Sequence, residues 1–167
     1  MSLSIYHATI PPLLRSLGAL SAILDKAAAQ CEARKIEPSV LVNFRLAPDM
    51  FPLSRQIQIM TDQAKGLAAR LTGSEIPAFP DTETSFADLT GRIAKTVDYL
   101  QSFSAAQFDG AEDRAVTLKA GGTELNFSGR DYAFLWVFPN FYFHAATTYN
   151  ILRHCGVEIG KRDFLGM

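Results

Sequence analysis

The feature that most constrains the fold of this chain is the regular spacing of apolar residues in four separate segments. In the second segment, steps of four, three, four, three and four residues connect Leu53, Ile57, Met60, Ala64, Leu67 and Leu71. This spacing places the apolar side chains on one face of a helix, where other helices can cover them. Pro52 is typical of a first helical turn, and Gly73 is typical of a helix end. We predict a helix that begins near Pro52 and ends at Gly73.

The first and third segments predict two further helices. The apolar face of the first comprises Leu3, Tyr6, Ile10, Leu13, Leu17, Leu20, Leu24 and Cys31. Because proline lacks an N–H group and clashes with the preceding turn, we expect a kink at Pro11 and Pro12, or a helix that starts at Pro11. The third helix has Ser85 as its N-cap, and its inward face comprises Phe86, Leu89, Ile93, Val97 and Leu100.

A hairpin pattern precedes the last helix. Residues 115–127, AVTLKAGGTELNF, alternate apolar and polar side chains around Gly121 and Gly122, which predicts a short β-hairpin. The fourth helix then runs to about His154, bends at Pro139 and has an apolar line of Phe134, Phe138, Phe141, Ala145, Thr148, Leu152 and Cys155. The sequence therefore predicts an all-α fold: one domain, residues 1–167, folded as a four-helix bundle of the up-and-down type with a hairpin before the last helix.

Charge and hydropathy argue against several classes of partner. The 167 residues carry a formal net charge of −1 and no long basic run, so we expect no nucleic acid partner. The most apolar stretch, residues 132–146, is too short to cross a bilayer, so we expect no membrane partner. The first residues lack the pattern of a secretory leader, and the two cysteines lie far apart in the sequence. We therefore expect a cytoplasmic protein.

Asn140 and His144 are the residues most open to a functional interpretation. Four residues apart on the fourth helix, they share a face that borders the apolar line at Phe141 and Thr148. Such a pair can belong to a zinc or nickel site, but a catalytic zinc uses about three protein ligands and asparagine is a poor one. The alternative is a buried, neutral His144 that is hydrogen-bonded to a neighbouring helix.

The second helix offers a partner for His144. Gln56 lies beside the apolar stripe, where it could either face the interior and hydrogen-bond His144 or Asn140, or lie on a solvated flank. We place Asn140, Gln56 and Thr148 in a candidate polar pocket around His144. The charged residues of the second helix are expected further towards solvent: Arg55, Asp62 and Lys65.

The aromatic run from Phe134 to Phe143 gives the fourth helix a second apolar surface. A helix that is apolar nearly all round is either central or covered by a partner, so we expect a homodimer. The chain has no P-loop and no GxGxxG, HExxH or GxSxG motif. These motifs therefore assign no enzyme class.

The last helix also carries a family resemblance. His144 stands twelve residues before the closing Gly156, in a segment that ends ILRHCGV. With LAPDMFPLSRQIQ, NFYFHAATTYNILRHCGVEIGKRDFLG and the order of segments, the chain resembles the DinB/YfiT-like bundle superfamily over essentially its whole length. It resembles most closely a bacterial domain family of unknown function within that superfamily.

The resemblance implies a four-helix bundle and, in metal-dependent members, a site of three histidines. Two of these come from an HxxxH motif in the last helix, and the third comes from helix two. The corresponding residues of the last helix are here Asn140 and His144, and no histidine lies between Met50 and Gly73. The implied ligand set is therefore incomplete, which favours no bound metal over zinc or nickel.

Three hypotheses follow. The first is a small-molecule-binding bundle or degenerate metalloenzyme, in which His144 is a general base or metal ligand and Asn140 orients it or a substrate. The second is an enzyme resembling metal-dependent thiol S-transferases, whose atypical ligand set is completed by Gln56, Gln58, Asp62 or His7. The third is a non-catalytic structural or interaction bundle, in which His144 and Asn140 only satisfy the polarity of the core.

Overall fold

The computed structural model describes residues 4–167, so Leu3 lies outside the described residues. The long helices are α1 (Ile5–Arg34), α3 (Leu53–Thr72), α4 (Phe86–Gln101) and α6 (Phe138–His154). The connections contain α2 (Pro38–Val42), a 3-10 turn (Ala105–Phe108), β1 (Ala115–Ala120), β2 (Thr123–Ser128), α5 (Gly129–Asp131) and a π-helix (Tyr132–Val137), and α7 (Lys161–Phe164) follows the bundle. Among the described helices, none combines the length and the hydropathy that a membrane span requires.

The predicted four-helix bundle is confirmed. Both α1 and α3 pack against α4 and α6, so α1 and α3 lie on opposite corners of the bundle. Gln30 of α1 donates to the carbonyl of Gly156, just beyond α6, over 2.8 Å. These two helices therefore end at the same end of the bundle and run in parallel.

The other two long helices also run in parallel, in the opposite direction. Gln58, near the start of α3, donates to Glu83, just before α4, and Tyr99, near the end of α4, donates to the carbonyl of Glu75, just beyond α3. The connecting residues 73–85 must therefore return along the length of the bundle. The chain directions are up, down, down, up, so the second and third long helices are joined by a long crossover and not by the short turn of a simple up-and-down bundle.

The helix ends predicted for α3 and α4 are confirmed. Gly73 ends α3 with φ at 75°, a left-handed conformation that costs glycine little. Ser85 accepts a hydrogen bond from the backbone N–H of Asp88, whose carboxylate accepts one from the N–H of Ser85 in return. This reciprocal capping satisfies two N–H groups at the start of α4.

The two prolines of α1 lie inside the helix, so the expectation of a helix start at Pro11 is wrong. The helix begins at Ile5, and the Ser4 side chain accepts a hydrogen bond from the N–H of His7. Pro11 is exposed and Pro12 is half-buried, so their rings disturb the core little. Burial of apolar residues on the inner face, such as Ile10, stabilises this turn against the loss of the proline N–H groups.

The hairpin forms as predicted. β1 and β2 pair antiparallel with Ala120 opposite Thr123, which leaves Gly121 and Gly122 as the two turn residues. Both have positive φ, at 57° and 81°, as a type I′ turn requires. Gly129 follows the hairpin directly and is buried against the backbone of residues 111–112. The N–H of the next residue, Arg130, donates to the carbonyl of Glu112 over 2.9 Å. This contact fixes the point where the last helical segment starts.

The apolar line predicted for the last helix is wrong at Phe134, which is 37% exposed. Its neighbours Ala133 and Val137 are buried instead. The cause is the π-helix, in which the carbonyl of residue i accepts a hydrogen bond from the N–H of residue i+5. Each turn therefore contains more residues than an α-helical turn, and different residues face the core. Pro139, which has no N–H to donate, lies in the first turn of α6, where the α-helical pattern resumes. The predicted line is buried from Phe141 to Leu152, and its last member, Cys155, is half-buried.

Candidate functional site

The centre of the candidate site is a hydrogen bond between α6 and α3. His144 Nδ1 and Gln56 Oε1 lie 2.7 Å apart, although the two residues are 88 positions apart in the sequence. Both side chains are buried, with 8% of His144 and 1% of Gln56 exposed. The structure therefore places Gln56 in the interior, not on a solvated flank, and makes it the partner of His144.

The second contact of Gln56 determines the orientation of its amide. Gln56 Nε2 donates to the carbonyl oxygen of Phe51 over 2.9 Å. A carbonyl oxygen can only accept, so the NH₂ group must face Phe51 and the amide oxygen must face His144. His144 Nδ1 must then carry a hydrogen and donate it to Gln56. In the neutral ring this leaves the lone pair on Nε2.

The surroundings of His144 favour its neutral form. Burial is the main cause that lowers the pKa of His144 below its ordinary value, and the positive charge of Arg55 lowers it further. Nε2 has no hydrogen-bond partner among the described residues, yet it is not one of their fully buried unpaired atoms. At neutral pH, His144 therefore presents an uncharged acceptor that retains access to solvent.

The other two residues of the predicted pocket have different roles. Asn140 Nδ2 donates to the carbonyl of Trp136 on its own helical segment, over 2.7 Å, and makes no hydrogen bond to His144. Thr148 lies one turn beyond His144 and is completely buried. Its Oγ1 is the fully buried side-chain oxygen that lacks a partner within residues 4–167. The structure thus joins Gln56 to His144 directly, while Asn140 caps a carbonyl of the π-helix.

The residues around His144 do not fit a zinc or nickel site. Two donor atoms of one tetrahedral zinc lie about 3.3 Å apart, whereas His144 Nδ1 and Gln56 Oε1 are 2.7 Å apart and share a hydrogen. Among residues 4–167, no three His, Cys, Asp or Glu side chains are grouped as metal ligands. The alternative ligands are engaged elsewhere: Gln58 with Arg55 and Glu83, Asp62 with Lys65 and Arg92, and His7 with Ser4.

A buried arginine near this site is the feature that the sequence analysis missed. The side chain of Arg92 on α4 is 1% exposed and bonds four side chains: Thr61 at 2.8 Å, Glu83 and Asp62 at 2.9 Å, and Asp81 at 3.1 Å. Its position gave a signal, because Arg92 follows Leu89 by three residues and precedes Thr96 by four, on the inward face.

The same cluster contains Lys65, which was expected towards solvent and is 5% exposed. Its ammonium bonds the carbonyl of Pro77 at 2.9 Å and Asp62 at 3.0 Å, and lies 4.1 Å from the ring centre of Phe79. The loop of residues 73–85 covers the stem of Lys65, which is why the side chain is buried. We call this loop the 73–85 strap.

The strap also reaches the His144 site. Arg55, whose charge acts on His144, pairs with Asp81 of the strap and donates to Gln58 at 3.2 Å. Gln58 in turn donates to Glu83 at 2.9 Å. The charged cluster that holds the strap is therefore continuous with the surroundings of His144.

Comparisons with known proteins agree with this architecture. The family model "Domain of unknown function (DUF1993)" matches residues 5–165. The crystal structure of a DinB family member protein from Shewanella denitrificans is similar, with a TM-score of 0.88 and 43% sequence identity over 98% of this chain and 92% of that chain. Among curated proteins, none matches. The chain therefore belongs to the DUF1993 family and has the fold of the DinB-like helical bundles.

Proposed function

We propose that this protein is a small-molecule-binding bundle in which Nε2 of His144 accepts a hydrogen bond from its ligand. The observation that supports this most is the double contact of Gln56, which fixes the Nδ1–H form of His144 and leaves Nε2 free. The matching ligand chemistry is a hydroxyl, thiol or N–H donor next to an apolar group. Bound metal is not part of this proposal.

The apolar part of the ligand has partners beside the site. The ring of Phe143 is edge-on to His144, with 5.2 Å between the ring centres, and is 57% exposed. Phe51, whose carbonyl orients Gln56, is 54% exposed. Because a large apolar side chain at this exposure leaves contact area uncovered, a ligand with an aromatic or aliphatic body gains from burying Phe51.

Binding fits His144 better than proton abstraction does. A general base is most effective when its pKa lies near the working pH. Burial and Arg55 both lower the pKa of His144, so its imidazolium form is disfavoured. A neutral Nε2 is, however, a good acceptor at any pH above that pKa. If a reaction takes place at this site, His144 acts on a donor group that is already weakly acidic.

The test is ligand-induced thermal stabilisation with a panel of aromatic and aliphatic alcohols and thiols, on protein purified without an affinity tag. We expect at least one compound to raise the melting temperature of the wild type and to lose at least about tenfold in affinity in His144→Phe, which keeps an aromatic ring but removes the acceptor. The matched control is His154→Phe, because His154 is an exposed histidine of the same helix.

Two results would contradict the proposal. Stoichiometric zinc or nickel in the wild type that is lost in His144→Phe would favour the metal-dependent, thiol-transferase-like hypothesis. No stabilisation by any compound, together with no metal, would favour a non-catalytic structural bundle.

We further propose that a second copy of the chain covers the exposed apolar face of the last helix. This face has two pairs of residues eight positions apart: Phe134 with Tyr142, and Leu135 with Phe143, of which Leu135 is 69% exposed. If a two-fold axis passes near Phe138, the last helices of the two copies run antiparallel. Leu135 of each copy then lies beside Phe143 of the other copy. The face is therefore self-complementary, and its edge borders His144.

Sedimentation at micromolar concentration tests the dimer. We expect the wild type to sediment as a dimer and Leu135→Asp as a folded monomer, because the substitution places two charges in the apolar interface. Val40→Asp is the control, since Val40 is 56% exposed on α2, away from this face. A monomeric wild type, or a dimer that survives Leu135→Asp, would refute this arrangement.

A further inference from the structure

Arg70 lies at the other end of the α3–α6 interface, in a cleft separate from the His144 site. It is fourteen residues beyond Gln56 on α3, which corresponds to about 21 Å along the helix. The cleft has a volume of about 440 Å³ and lies between α3 and the strap. Its walls include Lys65, Gly66 and Arg70 from α3, and residues 76–81 from the strap.

Of the two cations that line this cleft, Lys65 pairs with Asp62, whereas Arg70 has no carboxylate partner among the described residues. The ion pairs of the charged cluster that holds the strap join three cations other than Arg70, namely Arg55, Lys65 and Arg92, to three carboxylates, Asp62, Asp81 and Glu83. Each of the three carboxylates pairs with at least one of the other cations. Within residues 4–167, no carboxylate lies within ion-pair distance of Arg70, so its guanidinium is not directly neutralised.

The guanidinium of Arg70 is held in place by a phenol. Nη1 donates to Tyr132 Oη over 2.9 Å, and the guanidinium carbon lies 5.6 Å from the ring centre of Tyr132. Gly66 makes this geometry possible, because a Cβ there would lie 2.6 Å from Arg70 Nη1. The side chain is half-buried, so it is positioned before any ligand arrives.

Several donors remain unused at this point. A guanidinium has five N–H donors, and the described residues accept one hydrogen bond from Arg70. Burial raises the pKa of Tyr132, although Arg70 opposes this, so the phenol keeps its hydrogen at neutral pH. That hydrogen has no acceptor among the described residues. The planar fork of a guanidinium matches a carboxylate or a phosphate.

We propose that this cleft binds an organic monocarboxylate, with its carboxylate on Arg70, which Tyr132 positions, and its apolar body against the strap. The single unpaired guanidinium that lines the cleft matches a monoanion better than a phosphate dianion. The strap supplies the apolar wall through Ile76, Pro77, Ala78 and Phe79. Lys65 does not compete for the ligand, because Pro77 and Asp62 already accept its hydrogens. The two aspartates of the cleft are neutralised by their own partners.

The experiment is an NMR titration of the full chain with benzoate, and separately with inorganic phosphate, in low-chloride buffer. We expect saturable shifts at Arg70 and in the strap with benzoate. Arg70→Gln should weaken this binding at least about tenfold, since a charge-assisted pair is lost, and Tyr132→Phe should weaken it several-fold. The control is Arg153→Gln, because Arg153 is an exposed arginine whose guanidinium reaches a backbone carbonyl and no carboxylate among the described residues.

Three results would overturn the assignment. The first is the absence of saturable benzoate binding to the wild type, and the second is equal binding by the wild type and Arg70→Gln. The third is phosphate binding as tight as benzoate binding, which would exclude the role of the apolar wall. Because Tyr132 is buried, the fold of Tyr132→Phe is checked from its amide spectrum first, and Arg70→Gln alone decides if that variant unfolds.

Discussion

Replacing Arg92 by alanine is expected to lower the free energy of unfolding by about 3–5 kcal/mol, as for other buried ion pairs that lose one partner. The substitution leaves the nearly buried carboxylate of Glu83 and the hydroxyl of Thr61 without their donor. It also removes the ion pair between Asp81 and α4, which leaves Asp81 of the strap paired with Arg55 of α3 alone. Urea unfolding measures the loss, and faster proteolysis within the strap should accompany it.

The control for Arg92→Ala is Lys95→Ala on the same helix. Lys95 is exposed and makes no ion pair among the described residues, so we expect a change within about 0.5 kcal/mol. A loss below about 1 kcal/mol in Arg92→Ala would show that the cluster contributes little to the fold, contrary to our account.

The pH dependence of this loss follows from Glu83. Burial opposes its ionisation, but hydrogen bonds from Arg92 and Gln58 outweigh burial and hold the pKa of Glu83 below its ordinary value. A lowered pKa in the folded state stabilises the fold above the ordinary pKa of about 4.3, and this contribution disappears as the pH falls through the lowered value. The difference in the free energy of unfolding between the wild type and Arg92→Ala should therefore become smaller at acidic pH.

Replacing Gly129 by alanine is expected to destabilise the fold by at least about 3 kcal/mol, because overpacking against backbone cannot relax easily. A Cβ at this position would lie 1.8 Å from the carbonyl oxygen of Ala111 and 2.9 Å from Leu71 Cδ2. The chain would have to move away from residues 111–112, which shifts the start of the π-helix. Thermal unfolding measures the effect.

Gly18→Ala is the matched control for Gly129→Ala. A Cβ on Gly18 meets no other atom within 4 Å, and the residue lies in the middle of α1. Alanine is there expected to stabilise the helix by about 0.5–1 kcal/mol. Equal effects of the two substitutions would contradict the close contact at Gly129.

The sequence predicts the helices that carry continuous periodicity and end in capping residues. The spacing from Leu53 to Leu71 and the end at Gly73 are local properties, and so is the cap at Ser85, so they can be read without tertiary information. The two prolines of α1 show the limit of local reasoning. Burial of the inner face of α1 stabilises turns that propensity alone would break.

The sequence does not predict the phase of the last helical segment. Phe134 fits the apolar spacing, but the π-helix rotates it outwards, and this π-helix begins three residues after the close contact of Gly129 with Ala111, which is a tertiary feature. The hydrogen bond between Gln56 and His144 is equally non-local. It depends on how far α3 and α6 are shifted along each other, and the apolar periodicity of each helix does not determine this shift.

The sequence indicates where the buried charge of Arg92 lies, but not which side chains pair with it. An arginine at an inward-facing helical position indicates a buried charge. Its partners Asp81 and Glu83 lie in the strap, however, which has no periodicity, and only the return of this loop along the bundle brings them to α4. Sequence spacing cannot supply that path.

We infer that His144 is neutral and that its contact with Gln56 keeps the ring hydrogen on Nδ1, which leaves Nε2 without a hydrogen-bond partner among the described residues. An NMR titration of its ring nitrogens, with His154 as an exposed reference, tests this directly. We expect the Nδ1–H form at neutral pH and a titration midpoint below the ordinary value of 6.5, because burial and Arg55 both lower the pKa of His144. The Nε2–H form, or a midpoint above 6.5, would contradict this inference.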